Sequence, residues 1–215
     1  MHPFTLVLVR HGHVEGIHPE RFRGRIDLPL TAFGRKQAAA TAMFVTAQWP
    51  AAAIYASPLA RCRDTANAIA DLQGLVVEPL PQLIDIDYGK WQGRTREDVK
   101  AAEPDKFRSW MEQPHFTVID GAETLQDVQA RLARVLAYMR KSHPEGTVVA
   151  VGHDSTNRVF LTMALGLSLA SYWRLQQDPC AINVLKFGEH GCRVTAINET
   201  AHLANIHPDD DQTTV

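Results

Sequence analysis

Leu6-Val7-Leu8-Val9-Arg10-His11-Gly12 is a short apolar run that stops abruptly at an arginine, a histidine and a glycine. A run this short and rich in β-branched residues predicts a buried strand, parallel and covered on both faces. Ligands of open α/β sheets sit outside the carboxyl ends of the strands. That rule puts Arg10 and His11 at the ligand edge, with Gly12 letting the backbone turn away free of a Cβ. A guanidinium beside an imidazole suits an anion, most simply a phosphate. The imidazole can hold a proton, bind a metal or attack phosphorus. On these residues alone the plainer reading is preferred, with Arg10 in a surface ion pair and His11 capping a strand. The rest of the chain shifts that balance.

The 215 residues suffice for one sizeable α/β domain, read as residues 1–206, with a mobile tail expected over 207–215. Hydrophobic residues make up 45% and charged residues 21%, ordinary proportions for a soluble globular protein. A formal net charge of −2 gives no footprint for nucleic acid or an anionic membrane as partner. No run approaches the ~18 apolar residues of a membrane span. The first residues lack the basic start and apolar core of a signal peptide, since Arg10 interrupts the run after Val9. Cys62, Cys180 and Cys192 are odd in number and lack CxxC spacing, which argues against a disulfide framework or structural zinc. A cytoplasmic protein with reduced thiols is expected.

Residues 13–30 read as a long loop carrying Arg21, Arg23 and Arg25, and loops of that length are usually functional or disordered. Three arginines near a candidate anion site favour function. Thr31 is the expected N-cap of a helix over Phe33–Gln48, and Ala53–Ala56 a second strand. Ser57-Pro58 then predicts an N-cap followed by proline at the first helical position, with Arg61 in the first turn of a helix from Leu59 to Leu72. Helix starts attract anions, so an arginine there is expected to answer something negative. Leu75–Glu78 reads as a third strand. Asp85 and Asp87 sit in an extended segment, with Asp87 read as a surface carboxylate and Asp85 as a candidate proton donor.

Residues 95–113 read as a polar, helical insertion that packs Trp110 and Met111 inward and covers the site. Leu125, Val128, Leu132, Val135, Leu136 and Met139 form a core-facing stripe on a helix over Glu123–Ser142. Thr147–Val151 is a further parallel strand, and Gly152-His153-Asp154 after it repeats the pattern of the first: apolar strand, then histidine at the carboxyl end. A helix over Ser155–Leu165 and a short one over Ser168–Gln176 follow. Ala181–Phe187 and Arg193–Ile197 read as an antiparallel pair. Cys180–Phe187 is taken as an edge strand open to pairing, the basis for expecting a homodimer.

Arg10-His11-Gly12, Arg61 within Ser57-Pro58-Leu59-Ala60-Arg61-Cys62-Arg63-Asp64-Thr65-Ala66, and Gly152-His153 resemble, in that order, the histidine phosphatase superfamily, the phosphoglycerate-mutase-like clan. Gly24-x-x-Asp27-x-Pro29-Leu30-Thr31-x-x-Gly34 and Asp87-Tyr88-Gly89-x-Trp91-x-Gly93 resemble its intermediate motifs, and the likeness runs from Leu6 to about Phe160. The resemblance implies a three-layer α/β sandwich, a mostly parallel sheet with helices on both faces. It implies a phosphatase of the small branch, acting on a small phosphate ester without metal or other cofactor. His11 would carry the phosphoryl group, its other ring nitrogen donating to a backbone carbonyl. Arg10, Arg61 and His153 would neutralise the equatorial oxygens, and Gly12, Arg21 and Arg23 complete the binding set.

Two departures from the family pattern leave the proton donor open. Asp85 stands where the small-phosphatase branch usually has glutamate, shorter by roughly 1.5 Å of reach. Asp154 follows His153 where glycine is usual, and resembles the acid-phosphatase branch, whose donor is that aspartate. Both are candidate acids. His13 makes an i, i+2 pair with His11 that mimics a metal site, but no third ligand follows. The alternatives carried forward are mutase-type phosphoryl transfer, against which the length argues, and a catalytically idle protein that binds a phosphorylated ligand.

Overall fold

A computed structural model describes residues 4–17 and 19–208, so the expected tail lies, from 209 to 215, outside the described residues. The strands are β1 Phe4–Arg10, β2 Ala53–Ala56, β3 Val77–Pro79, β4 Gly146–Gly152, β5 Ile182–Gly188 and β6 Gly191–Glu199. The helices are α1 Ala32–Gln48, α2 Ala60–Gln73, α3 Arg96–Ala102, α4 Pro104–Glu112, α5 Leu125–Ser142 and α6 Asp154–Leu165. The strands form one sheet in the order β3-β2-β4-β1-β5-β6. The first four of that order run parallel, and β5 and β6 are antiparallel.

Every residue of β1 is buried, because the sheet is covered on both faces. Leu6 and Leu8 point into a core built with Leu125, Val128, Leu132 and Met139 of α5 and Phe160 of α6. Val7 and Val9 point the other way, against Ala42 and Val45 of α1 and Ala66 and Ile69 of α2. The strand's period of two thus serves two cores, which explains a continuous apolar run instead of an alternating one. The three-layer α/β sandwich expected from the sequence is present. Among the described residues no helix is long and apolar enough to cross a membrane.

Two expectations need correction and one gains detail. Residues 182–188 are an inner strand between β1 and β6, and β6 forms the edge, so the segment offered for homodimer pairing has its backbone already paired. The insertion is two helices: Glu103 ends α3 and starts α4, with Pro104 at its first position, where a missing N–H costs nothing. Gly12 is required for a different reason than a turn. A Cβ there would fall 2.6 Å from the Gly34 carbonyl oxygen, so the chain after β1 lies directly on the first turn of α1.

The reciprocal contact is tighter: a Cβ on Gly34 would lie 2.1 Å from the His13 carbonyl oxygen. Thr31 caps this same turn by accepting from Gly34 N at 3.0 Å. Gly34→Ala is therefore expected to cost about 2–4 kcal/mol of stability, since backbone rather than a side chain must yield. Urea denaturation measures it, and an unchanged midpoint would contradict the close packing.

Candidate active site

The pairing of β1 with β4 sets Arg10 opposite Gly152, and His11 N donates to the Gly152 carbonyl at 3.0 Å. The two strand-end histidines consequently meet, their ring centroids 5.3 Å apart at 64°. β2 ends beside β4, with Ser57 N donating to the Val151 carbonyl at 3.0 Å. Ser57 thus extends the strand, and α2 begins later than the Ser-Pro signal predicts. Its N-cap, Leu59, has no capping side chain; instead Asp27 of the long loop accepts from Ala60 N at 2.7 Å.

His11 is 2% exposed, and its Nδ1 lies 2.7 Å from the Gly12 carbonyl oxygen. A carbonyl can only accept, so Nδ1 carries the proton and Nε2 the lone pair. Burial, then the charges of Arg61 and Arg10 with His153 beside them, hold its pKa well below 6.5, against the pull of the Gly12 bond. Thr65 Oγ1, meanwhile, accepts from Gly12 N at 3.1 Å.

Arg61 is fully buried. It donates to the carbonyls of Ile26 at 2.7 Å and Gly24 at 2.8 Å, and its Nη2 lies 3.5 Å from Asp85 Oδ2. Its Nε donates to His153 Nδ1 at 3.3 Å, which leaves the His153 proton on Nε2, 2.8 Å from Ser57 Oγ. Burial and the nearby guanidinium groups of Arg61 and Arg10 push the His153 pKa well down. That shift favours the neutral ring, whose Nε2 proton stays available to donate. Arg10, also buried, donates to the Gln177 carbonyl.

The two candidate acids differ. Asp85 is nearly enclosed, with Oδ1 accepting from Ile86 N at 2.9 Å and Oδ2 3.7 Å from His153 Nδ1. Burial raises its pKa, Arg61 opposes, and the charge of Asp154 adds to the rise. Burial also pushes Asp154 up, but Arg158, Arg10 and Arg23 outweigh it and hold the carboxyl below the usual range. Asp154 pairs with Arg158 at 3.4 Å. Burial and neighbouring charge thus move the two carboxyls in opposite directions.

Beside this centre runs a cleft lined by Arg21, Arg23, Asp85, Tyr88, Asp154 and Ser155. Arg21 and Arg23 each place one nitrogen on a neutral carbonyl, of Gly93 at 3.1 Å and Gly16 at 2.6 Å. Arg21 also bridges to Thr95, joining the long loop to the insertion. Arg25 turns away, to Asp87 at 3.2 Å and Glu123 at 3.1 Å. His13 hydrogen-bonds with Thr31 Oγ1 at 2.9 Å and stands edge-on to Phe33.

Among the residues that hold this set in place, sequence reasoning named Asp27, Ser57 and Thr65 only within motifs, without this role, and missed Gln177 and Asn183 outright. Gln177 and Asn183 exchange amide hydrogen bonds of 2.8 Å each, and Asn183 also donates to the Leu8 carbonyl at 3.1 Å. Of the two missed outright, Asn183 left a signal, as an amide inside the apolar run Ala181–Leu185.

Fold and site together define a class: α/β proteins with two strand-end histidines and buried guanidinium groups at the carboxyl edge of the sheet. The chain belongs to the histidine phosphatase superfamily, whose branch 1 model matches residues 6–200. It is 34% identical over 202 residues to phosphoserine phosphatase 1 of Hydrogenobacter thermophilus, covering 94% of this chain and 95% of that one. It is 32% identical over 170 residues to the glucosyl-3-phosphoglycerate phosphatase of Mycobacterium tuberculosis, covering 77% and 72%. A solved structure of mycobacterial glucosyl-3-phosphoglycerate phosphatase in complex with VO3 superposes with a TM-score of 0.84 at 28% identity, covering 91% of this chain and 99% of that one.

The His11 geometry fixes an observable. Nitrogen NMR of histidine-labelled protein is expected to show a His11 ring protonated on Nδ1 only and still neutral at pH 6.5, where an unperturbed imidazole is half protonated. A His11 resonance that titrates at or above that pH would contradict the assignment.

Proposed function

We propose that this chain hydrolyses small phosphate monoesters that carry a carboxylate, through a phosphohistidine formed on His11 Nε2. The observation that supports the reading is the Nδ1 bond of His11 to the Gly12 carbonyl, which leaves the lone pair of this buried ring on Nε2. The Nε2 lone pair attacks phosphorus in line, and the bond to the ester oxygen breaks. Asp85 gives its proton to that oxygen. In the second step the Asp85 carboxylate takes a proton from water, the water oxygen bonds to phosphorus, and the phosphorus–nitrogen bond breaks.

The positive charge this displacement needs comes from Arg10 and Arg61. His153 contributes as a neutral ring that braces Arg61. In water an aspartate near 3.8 and a histidine near 6.5 are never both neutral in quantity. Raising the first and lowering the second widens the overlap in which the nucleophile is bare while the acid holds its proton.

The carboxylate rests on two supports. The relatives above are named for phosphoserine and a phosphoglycerate, both carboxylated. Arg21 and Arg23 also line the cleft next to the phosphoryl position, where a guanidinium pairs well with a second anionic group.

Phosphate release should survive EDTA and fall to background in His11→Ala. Arg23→Ala should raise KM for phosphoserine about tenfold while leaving phosphoethanolamine, its analogue without the carboxylate, within about twofold. Equal losses on the two esters would sink the carboxylate assignment. For kcat/KM on phosphoserine, activity should fall on the acid side as His11 gains a proton, with that limb below pH 6.5. It should also fall on the alkaline side as Asp85 loses its proton, and Asp85→Asn should remove that alkaline limb.

A further inference from the structure

Asp85 sits in a stretch that neither a strand nor an α-helix organises. A single 3-10 turn ends at Leu83, and the chain runs irregularly until the turn at Gly89. Its backbone polar groups are met by side chains from elsewhere. Arg131 of α5, nearly buried, donates through Nη1 to the Gln82 carbonyl at 2.6 Å and through Nη2 to the Asp85 carbonyl at 3.3 Å. The same guanidinium is held side-on by Glu123, with Nε at 3.0 Å and Nη2 at 3.1 Å from its two oxygens. Glu123 also accepts from Asp87 N at 3.2 Å and pairs with Arg25 at 3.1 Å. Arg25 returns to the segment, its Nε 3.4 Å from the Asp85 carbonyl and its Nη1 3.2 Å from Asp87 Oδ2. Two guanidinium groups bridged by one carboxylate therefore converge on the main chain of the residue whose carboxyl enters the site.

We propose that Arg131, braced by Glu123 and seconded by Arg25, is the positioning residue for the proton donor: it fixes the main chain at Asp85 so that this short carboxyl reaches the leaving oxygen. The inference rests on Asp85 as donor. An aspartate has one methylene fewer than a glutamate with which to absorb a backbone error, and displacements of about 1 Å can cost about a hundredfold in rate. Arg131 touches no reacting atom, so its loss acts only through Asp85. A lysine cannot replace it, because one ammonium cannot span Gln82, Asp85 and both oxygens of Glu123.

Leaving-group dependence separates positioning from general damage, because only esters with poor leaving groups need the proton. Arg131→Gln is expected to lower kcat/KM, which reports formation of the phosphohistidine and not its hydrolysis, about tenfold or more for an alkyl phosphate and less than about threefold for 2,4-dinitrophenyl phosphate. Arg131→Lys should recover little of that loss. In an Asp85→Asn background Arg131→Gln should add less than about twofold on the alkyl ester. Equal losses on both esters, or full additivity with Asp85→Asn, would overturn the proposal. If Arg131→Gln does not fold, Arg25→Gln, at a partly exposed position, reads the same ratio. It is expected to show a weaker selective loss on the alkyl ester, and equal losses there would overturn the proposal. If Asp85→Asn by itself spares the alkyl ester, the donor assignment fails, and that result is distinguishable from a failure of Arg131 alone.

Discussion

The parallel register of β1 on β4 is the constraint on which the site depends. It sets Arg10 against Gly152, and the next residue on each strand is a histidine. A slip of one residue would turn Leu6 and Leu8 into the α1–α2 core and send Val7 and Val9 to the other, with a mismatch at every position. The two cores that hold the register also fix the distance between the rings. Beyond the strand ends the chain is pinned by short-range contact, Gly12 against Gly34 and Gly12 N on Thr65, so the placement of His11 follows from sheet geometry with almost no freedom left.

Charge is the second constraint. A buried guanidinium costs several kcal/mol in desolvation unless its donors are met. Arg61 meets that demand with two carbonyls of one loop, an imidazole and a carboxylate, drawn from three segments. The fold therefore concentrates positive charge next to His11 while keeping Asp85 close enough to moderate it. The same enclosure moves the His11 and Asp85 pKa values toward one another, which is the electrostatic condition the proposed reaction needs. Asp154, paired with Arg158 and nearer to solvent, moves the opposite way.

Much of this was legible in the chain because it was written in local pattern. The apolar run before Arg10, its echo before His153, and the Thr31 cap each report their own surroundings. The stripe from Leu125 to Met139 does the same, and all four gave the right elements. What was not legible is what one segment does for another. Ser57-Pro58 carries a strong local cap signal, yet Ser57 turns to His153 and the cap comes from Asp27, more than thirty residues upstream. Residues 180–187 look like an edge strand until β6 pairs with them. Arg25 groups with the arginines of the anion site, and Glu123 and Arg131 draw no role, since nothing local says that the three gather around the Asp85 main chain. The lowered pKa of His153 is likewise a property of burial and neighbouring guanidinium groups, both invisible along the chain.

The stereochemical course at phosphorus tests the central claim most directly. A thiophosphate monoester made chiral at phosphorus with two oxygen isotopes, hydrolysed by the wild-type enzyme in water carrying the third, separates two in-line displacements from one. Passage through a phosphohistidine on His11 predicts net retention of configuration, one inversion for each step. Net inversion would mean direct attack by water, and would contradict the role assigned to the strand-end histidine around which the site is built.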